Sequence, residues 1–231
     1  MKDILIKHFS KRGIIYNEDM LKQLVKYKDM LVEWNEKFNL TTITDDEGIA
    51  VKHFVDSLTI LDMVKGRKNL ADVGTGAGFP GIPLKIAGFT GEVVLMDSLG
   101  KRVDFLEAVI SELGLSGCQA IHIRAEDAGR GELRETFDVV TARAVANLPV
   151  LCEYCLPLVR KGGIFIAMKG PETGEEIRIS KNSIEKLGGR LKKTEKLMLD
   201  DYERTIVIIE KIKNTPGIYP RKAGTPKKRP L

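Results

Sequence analysis

The chain has few of the residues that build disulfide frameworks, and it has no long apolar run. Three cysteines occur in 231 residues, and an odd number does not make a disulfide framework, which agrees with a reducing compartment. No apolar run approaches the roughly 20 residues that a membrane helix needs, and the N-terminal residues lack the apolar core of a secretory signal. We therefore expect a cytoplasmic protein that does not span a membrane.

Histidines are also few, and neither they nor the cysteines form a metal-binding pattern. His8, His53 and His122 fall in different predicted elements, so we expect no metal site. Cys152 and Cys155 lie one helical turn apart in a predicted helix. Because no second ligand pair exists, we interpret these cysteines as core residues.

The excess positive charge, +5 in total, is concentrated at the C-terminal end. From Pro216 to Leu231 the chain carries five basic residues and no acid, whereas the rest holds 32 basic and 32 acidic residues. Prolines and glycines disfavour a regular helix in this stretch. Two interpretations stay open: a solvated, frayed terminus, or a flexible arm that neutralises nucleic-acid phosphates without reading their sequence.

What is present divides into a helical part and an alternating part. Asn17-Glu18-Asp19 predicts the start of an amphipathic helix, and a second helix is predicted from about Asp46 to Val64. Strands and helices then alternate, which predicts a doubly wound, largely parallel sheet. We therefore predict a helical extension at 1–64, an α/β domain at 65–212 and a basic tail at 213–231.

Strands are predicted near Asn69 to Val73, Glu92 to Asp97, Cys118 to Ile123, Phe137 to Thr141, Gly163 to Met168, Leu191 to Lys196 and Thr205 to Ile212. Helices between them are predicted near Gly81 to Ala87, Lys101 to Leu113, Asn147 to Val159 and Glu172 to Leu187. No helix separates the last two strands, so they should pair as an antiparallel hairpin at one edge of the sheet.

The most informative stretch is 70–81, where an apolar strand ends in an acid and a glycine-dense turn follows. Such a turn directs the N-terminal amides of a helix toward a ligand. Gly74, Gly76 and Gly78 allow positive φ angles and leave no Cβ to obstruct a bound group. An ordinary turn is the alternative, but the preceding strand and a second acid downstream favour a nucleotide-type cofactor site.

Ligands of such sheets bind beyond the carboxyl ends of the strands. Asp97 ends the second strand, where an acid can accept hydrogen bonds from ribose hydroxyls; a helix N-cap is its alternative role. Ala125 and Glu126 follow the third strand, where an adenine would be lined. Arg143 follows the fourth strand and faces the place where a substrate must enter; a surface salt bridge is its alternative role.

Phe79 argues against a dinucleotide cofactor. The nicotinamide fingerprint requires a glycine three residues beyond Gly76, where this chain has Phe79. The glycine turn, the acids after the second and third strands and the terminal hairpin favour S-adenosylmethionine instead.

Three segments closely resemble the RsmG (GidB) family of 16S ribosomal RNA methyltransferases: Asp72 to Pro83, Asp97 to Arg102 and Thr141 to Ala144. Further similarity lies in Glu33 to Thr41, His53 to Ser57, Lys169-Gly170, Arg204-Thr205 and Tyr219 to Pro226. The resemblance extends over nearly the whole chain.

This resemblance implies a Rossmann-like class I methyltransferase domain at 65–212, with a mostly parallel seven-stranded sheet and a terminal antiparallel hairpin. It implies methyl transfer from S-adenosylmethionine to N7 of one guanosine in 16S rRNA, with the small ribosomal subunit or its assembly intermediate as partner. We expect a monomer. Cofactor contacts are assigned by the resemblance and by the glycine turn to Gly74, Gly76, Gly78, Phe79, Asp97, Ser98, Leu99, Ala125, Glu126 and Arg143.

Arg143, Lys169 and Arg204 are the candidate catalytic residues. Lys101, Lys169 and Arg204 are candidates for holding RNA or the target base, with a solvated surface charge as the alternative. His53 and Asp56 are three residues apart on a helix, and we favour a packing pair over a role at the substrate face.

The chain lacks the residues that other methylations require. It has no Asn/Asp-Pro-Pro-aromatic turn after the fourth strand for an exocyclic amine, and Cys152 and Cys155 are not placed as nucleophiles for a pyrimidine C5. Guanine N7 already carries an in-plane lone pair, so alignment alone can drive the transfer. Arg143 should therefore contact O6, a phosphate or the cofactor rather than N7.

Two rival functions stay open. One is a methyltransferase of the same fold with a protein or small-molecule substrate, against which the basic tail counts. The other is a non-catalytic RNA-binding protein, against which the intact glycine turn counts.

Overall fold

The computed structural model describes residues 1–171 and 173–231. Its sheet consists of β1 (Asn69–Val73), β2 (Glu92–Asp97), β3 (Cys118–His122), β4 (Phe137–Arg143), β5 (Val159–Lys169), β6 (Gly189–Leu199) and β7 (Tyr202–Lys211). The strand order is β3-β2-β1-β4-β5-β7-β6. Strands β1 to β5 pair in parallel, and β7 is antiparallel to both β5 and β6. The predicted doubly wound sheet with its terminal hairpin is confirmed.

Helices precede the sheet and alternate with its strands. Those before it are α1 (Lys2–Arg12), α2 (Glu18–Phe38), α3 (Asp46–Gly48), a π-helix (Ile49–Val55), α4 (Asp56–Leu58) and α5 (Leu61–Val64). The others are α6 (Gly81–Ile86), α7 (Gly100–Glu112), α8 (Ala125–Ala128), α9 (Leu148–Cys155), α10 (Gly174–Ile179), α11 (Lys181–Lys186) and α12 (Thr225–Lys228). Within the described residues, none of these helices is both long and apolar enough to cross a membrane.

The helix predicted from about Asp46 to Val64 is not continuous. It passes through the π-helix and is interrupted between α4 and α5. The hydroxyls of Ser57 and Thr59 donate to backbone carbonyls of the preceding turn, at 2.6 Å in both cases. Such bonds compete with the regular helical pattern, which apolar spacing alone does not reveal.

Two other predicted helices also have different bounds. The helix predicted over 147–159 ends at Cys155, because Pro157 disfavours helical backbone just before it and Val159 pairs with Phe137 in the sheet. The helix predicted over 172–187 is two short helices that meet at Ser180, whose hydroxyl donates to the carbonyl of Glu176. Its predicted first residue, Glu172, lies outside the described residues.

The N-terminal helices pack on one face of the sheet and share an apolar core with it. Tyr27 of α2 is fully buried, and its ring lies 5.4 to 6.4 Å from the rings of Phe54, Phe79 and Phe105. Burial of a large side chain of this kind contributes about 2 kcal/mol. The opposite face packs on α9 and α11, where Cys152 and Cys155 lie in the core as interpreted.

The basic C-terminal stretch is packed on the protein, so neither a frayed terminus nor a flexible arm describes it. Pro226 is buried, Tyr219 and Leu231 contact the second apolar core, and Arg221 pairs with Glu153 at 2.6 Å. The short helix α12 forms there despite the prolines. The buried carboxylate of Glu153 supplies the anionic partner, and composition alone cannot show that such a partner exists.

Candidate active site

The glycine turn after β1 has the predicted backbone, but its three glycines are required for different reasons. Gly74, Gly76 and Gly78 have φ angles of 65°, 62° and 101°. A Cβ on Gly74 would lie 2.6 Å from Val145, and one on Gly78 would lie 2.5 Å from Ile82. Only Gly76 of the three opens onto free space. A Cβ at Gly76 would meet no protein atom, so only the positive φ favours glycine there, while the other two glycines also avoid contacts within the protein.

Asp72, the acid that ends the apolar strand, organises this turn from inside. Its buried carboxylate accepts from the Thr75 hydroxyl at 2.6 Å, the Gly81 amide at 2.9 Å and the Thr141 hydroxyl at 3.1 Å. Burial raises the pKa of Asp72, and the hydrogen bonds oppose that rise. The carboxylate fixes the turn against β4 and the start of α6.

The carboxyl ends of β1, β2 and β3 enclose a cavity of about 240 Å³, which we call the cofactor cavity. Five of the sequence-predicted cofactor residues line it: Gly74, Asp97, Ser98, Ala125 and Glu126. Residues that the sequence did not suggest complete it, among them Val145 from the loop after β4 and Gly224 and Lys227 from the C-terminal stretch.

Asp97 is not the N-cap of α7, a position that Leu99 occupies, and its contact with ribose hydroxyls stays a prediction. One oxygen accepts from the Gly76 amide at 3.0 Å and from Arg102 at 3.3 Å. The other accepts from the amide of Leu99, the residue that precedes α7, at 3.0 Å. The carboxylate thus positions the turn before α7 while it faces the cofactor cavity.

Gly76, Gly78, Phe79, Leu99 and Arg143 are not among the residues that line the cavity. The Phe79 ring is buried and stacks on His53, with ring centroids 4.4 Å apart. The Arg143 guanidinium carbon lies 5.0 Å from the centroid of the same ring. The cofactor contacts of all ten predicted residues, whether or not they line the cavity, stay predictions.

Beside the glycine turn, Asp56, His53, Arg143 and Arg204 form a cluster that we call the arginine network. The fully buried carboxylate of Asp56 accepts from Arg143 at 2.8 Å and from two nitrogens of Arg204 at 2.8 and 2.9 Å. The side chains of Arg143 and Arg204 are 10% and 8% exposed. The salt bridge of Arg143 is therefore buried rather than at the surface, and Arg204 is not a solvated surface charge. Two guanidinium groups on one carboxylate leave a net positive charge.

His53 joins this network as a neutral side chain. Burial, together with the positive charge of Arg143, lowers the pKa of His53 to about 4. Its ring nitrogens lie 3.3 Å from an Arg143 nitrogen and 2.9 Å from the Thr41 hydroxyl. The sequence favoured a packing pair of His53 and Asp56, but in the structure both contact Arg143. The segment from His53 to Ser57, already similar to the RsmG family, was the available signal.

Lys169 braces the loop that follows Arg143. Its ammonium donates to the Ala146 carbonyl at 3.0 Å and pairs with Glu176 at 2.8 Å. Ala144 in this loop has φ 56°, a left-handed conformation that is costly outside glycine. Lys101 is exposed on the first turn of α7 and has no salt-bridge partner within the described residues. Of the three predicted RNA or base ligands, only Lys101 is exposed, whereas Lys169 is half-buried and Arg204 is buried.

Comparison with known proteins decides the family. The family model described as rRNA small subunit methyltransferase G (GidB) matches residues 20–207. The chain belongs to this family. A ribosomal RNA small subunit methyltransferase G of Desulfitobacterium hafniense is 56% identical over 216 residues, which cover 92% of this chain and 90% of that protein. The protein of the same name from Clostridium tetani is 51% identical, covering 99% and 98% of the two chains.

Solved structures show the same fold at low sequence identity. The M. jannaschii TYW2 protein in complex with AdoMet is similar with a TM-score of 0.58 and 17% identity, covering 74% of this chain and 80% of that one. A SAM-dependent O-methyltransferase of Thermotoga maritima gives a TM-score of 0.54 at 14% identity, covering 80% and 72%. Membership of the class I methyltransferase fold, predicted from the sequence, is confirmed.

Proposed function

We propose that this member of the family transfers a methyl group from S-adenosylmethionine to N7 of a specific guanosine in 16S rRNA of the small ribosomal subunit. One observation carries the proposal: the cofactor cavity and the positively charged arginine network lie side by side at the carboxyl edge of the sheet. The names of the relatives, which specify small-subunit ribosomal RNA, support the substrate.

The residues of the cofactor cavity fit S-adenosylmethionine. Gly74 lines the cavity without a side chain, and the Asp97 carboxylate is suited to ribose hydroxyls. Ala125 and Glu126 provide the wall after β3, where an adenine is expected. When bound, the cofactor supplies an electrophilic methyl group. The residues of the chain hold and orient the reactants.

N7 methylation requires no proton abstraction from the base, and the site agrees with this. His53, the imidazole in the arginine network, is buried and engaged with Thr41 and Arg143. Burial raises the pKa of Cys152 to about 12 and also raises that of Cys155 well above its usual range, so neither cysteine supplies a thiolate. Catalysis then depends on alignment of N7 with the methyl group, an effect of about 7 kcal/mol or more at best.

We assign the arginine network to the substrate side of the site. Asp56 fixes the directions of Arg143 and Arg204, so their charge can act on the guanine O6 or a phosphate without occupying the N7 lone pair. Lys169 acts indirectly, because it holds the loop after β4 through the Ala146 carbonyl. Lys101 is proposed as a phosphate contact on the open surface.

We further propose that the enzyme acts as a cytoplasmic monomer, without a metal, on the subunit or its assembly intermediate. Among the described residues, no group of three or more histidine, cysteine or acidic side chains is arranged to hold a metal ion.

Mapping of N7-methylguanosine in 16S rRNA tests the function. RNA from cells with and without the gene is compared, and a plasmid copy should restore the modification. If the same guanosine is modified in both strains, the assignment fails. Purified enzyme is then offered naked 16S rRNA and intact small subunits in parallel, which identifies the form that is methylated.

A further inference from the structure

The C-terminal segment, residues 215–231, follows β7 and is anchored to the domain at several separate points. At its start, the Thr215 amide donates to Glu135 at 2.7 Å, and the Thr215 hydroxyl lies 2.6 Å from the buried ammonium of Lys211. Arg134 then donates to the carbonyls of Thr215 and Tyr219 at 2.6 and 2.7 Å. These contacts fix the path of the backbone over residues 215–219.

The strongest anchor is a buried ion pair in the middle of the segment. Glu153 of α9 is fully buried and accepts from the backbone amide of Arg221 and from its guanidinium, at 2.8 and 2.6 Å. A carboxylate without solvent requires such a partner, since an unpaired buried charge is strongly destabilising. The docked position of the segment is therefore specific.

These anchors deliver the end of the segment to the cofactor cavity. The Gly224 amide donates to Glu126 at 2.9 Å, and Glu126 is one of the predicted cofactor residues. Gly224 has φ 80°, so the turn before α12 is one that other residues adopt with strain. Gly224 and Lys227 line the cavity beside Ala125 and Glu126.

We propose that the C-terminal segment is a wall of the cofactor cavity, which holds Glu126 through the Gly224 amide and closes that side with Lys227, so that cofactor affinity depends on its docking. The inference rests on S-adenosylmethionine as the cofactor. A ligand that contacts the docked segment binds the docked state better, so binding and docking favour each other reciprocally.

The first test measures S-adenosylmethionine binding by calorimetry on full-length variants. Gly224→Ala strains the turn that presents the amide to Glu126 and should raise Kd about fivefold or more, within the range of such couplings. Gly217→Ala is the matched control: this glycine lies in the same segment, does not need a positive φ and has free space around its Cα. Its Kd should stay unchanged.

Lys227→Ala removes the side chain that closes the cavity and leaves the anchors intact. It should also raise Kd, by a smaller factor than Gly224→Ala. An unchanged Kd in both variants overturns the proposal. Because Lys227 is exposed, this variant should fold even if Gly224→Ala does not.

The second test is limited proteolysis of the C-terminal segment with and without S-adenosylmethionine. Saturating cofactor should slow cleavage after the basic residues of the segment, and this protection should be weaker in the double variant Arg221→Ala with Glu153→Gln. Equal cleavage rates in the presence and absence of cofactor overturn the proposal.

The proposed function and this inference fail separately. If the wild type binds S-adenosylmethionine but methylates no rRNA, the proposed function fails, whereas the role of the C-terminal segment in cofactor binding is not affected.

Discussion

The cofactor cavity and the arginine network share one edge of the sheet, but different parts of the chain build them. Most residues that line the cavity lie at the ends of β1, β2 and β3 or directly after them, so the preceding strand places them, and the C-terminal segment adds Gly224 and Lys227. In the arginine network, Asp56 meets residues 87 and 148 positions further along the chain. The comparison teaches that a local motif can place a cofactor, whereas a buried charge cluster exists only in the complete fold.

The largest expected effect follows from removing the centre of the arginine network. Asp56→Asn leaves two buried guanidinium groups without a counter-charge and should lower the free energy of unfolding by about 3 to 5 kcal/mol. Urea denaturation measures the loss. Asp62→Asn, at an exposed ion pair with Lys65, is the control and should change it by less than about 1 kcal/mol. Equal effects would mean that the network does not hold the fold together.

The pH dependence of the free energy of unfolding should also distinguish the arginine network from the cofactor cavity. The pKa of His53 is lowered from 6.5 to about 4 in the folded state. As the pH falls, His53 of the unfolded chain therefore binds a proton at a higher pH than His53 of the folded protein. The His53 contribution is therefore complete above pH 6.5 and is lost as the pH falls to about 4, by about 3 kcal/mol. Urea denaturation between pH 7 and pH 4 should show this loss in the wild type and a reduced loss in His53→Gln. His122→Gln, at an exposed position, is the control and should keep the wild-type pH dependence. If His53→Gln also keeps the wild-type pH dependence of unfolding, the prediction is wrong.

Arg143→Ala should affect chemistry more than folding. Asp56 keeps Arg204 as a partner, so we expect the free energy of unfolding to fall by no more than about 2 kcal/mol, whereas methyl transfer should fall about 100-fold through lost positioning. Single-turnover methylation of small subunits and urea denaturation are compared on the same preparations. Arg178→Ala, on an exposed ion pair, should change neither. Parallel losses of activity and stability would assign Arg143 a structural role.

The smallest of these effects should be confined to the cofactor cavity. Asp97→Asn weakens the acceptor proposed for the ribose hydroxyls and should raise the Kd for S-adenosylmethionine about tenfold, since a hydrogen bond to a charged group contributes about 1.5 to 3 kcal/mol. Calorimetry measures the change. Asp104→Asn, on the exposed face of α7, should bind as the wild type does. A normal Kd for Asp97→Asn would exclude the carboxylate as a ribose acceptor.

Local features of the fold could be predicted from the sequence. The bounds of β1 and β2 are those predicted, Asn69–Val73 and Glu92–Asp97, because a continuous apolar run between turn residues carries its own signal. The capping of α2 by Asn17 is local in the same way, since its side chain accepts from the Met20 amide. Five of the residues that line the cavity follow from such strand ends, whereas Gly224 and Lys227 do not.

Features that depend on a distant partner could not be predicted. The sequence around Arg221 does not indicate that its partner, Glu153, is buried elsewhere in the fold. The sequence therefore leaves the basic C-terminal residues as either solvated or mobile. The sequence around Arg204 is that of an ordinary strand and does not indicate its buried ion pair with Asp56. The cofactor contacts of the predicted residues and the domain limits at 64 and 212 remain predictions.

The hydroxyl of Tyr27 donates to the carbonyl of Ala77, inside the glycine turn. A helix from the N-terminal extension therefore supplies a hydrogen bond to the loop that shapes the cofactor cavity. The predicted boundary at residue 64 follows a change in the pattern of secondary structure, but residues on both sides of it contribute to the cofactor loop. A shortened protein that began at residue 65 would keep every strand of the sheet and lose the donor that helps to fix its cofactor loop.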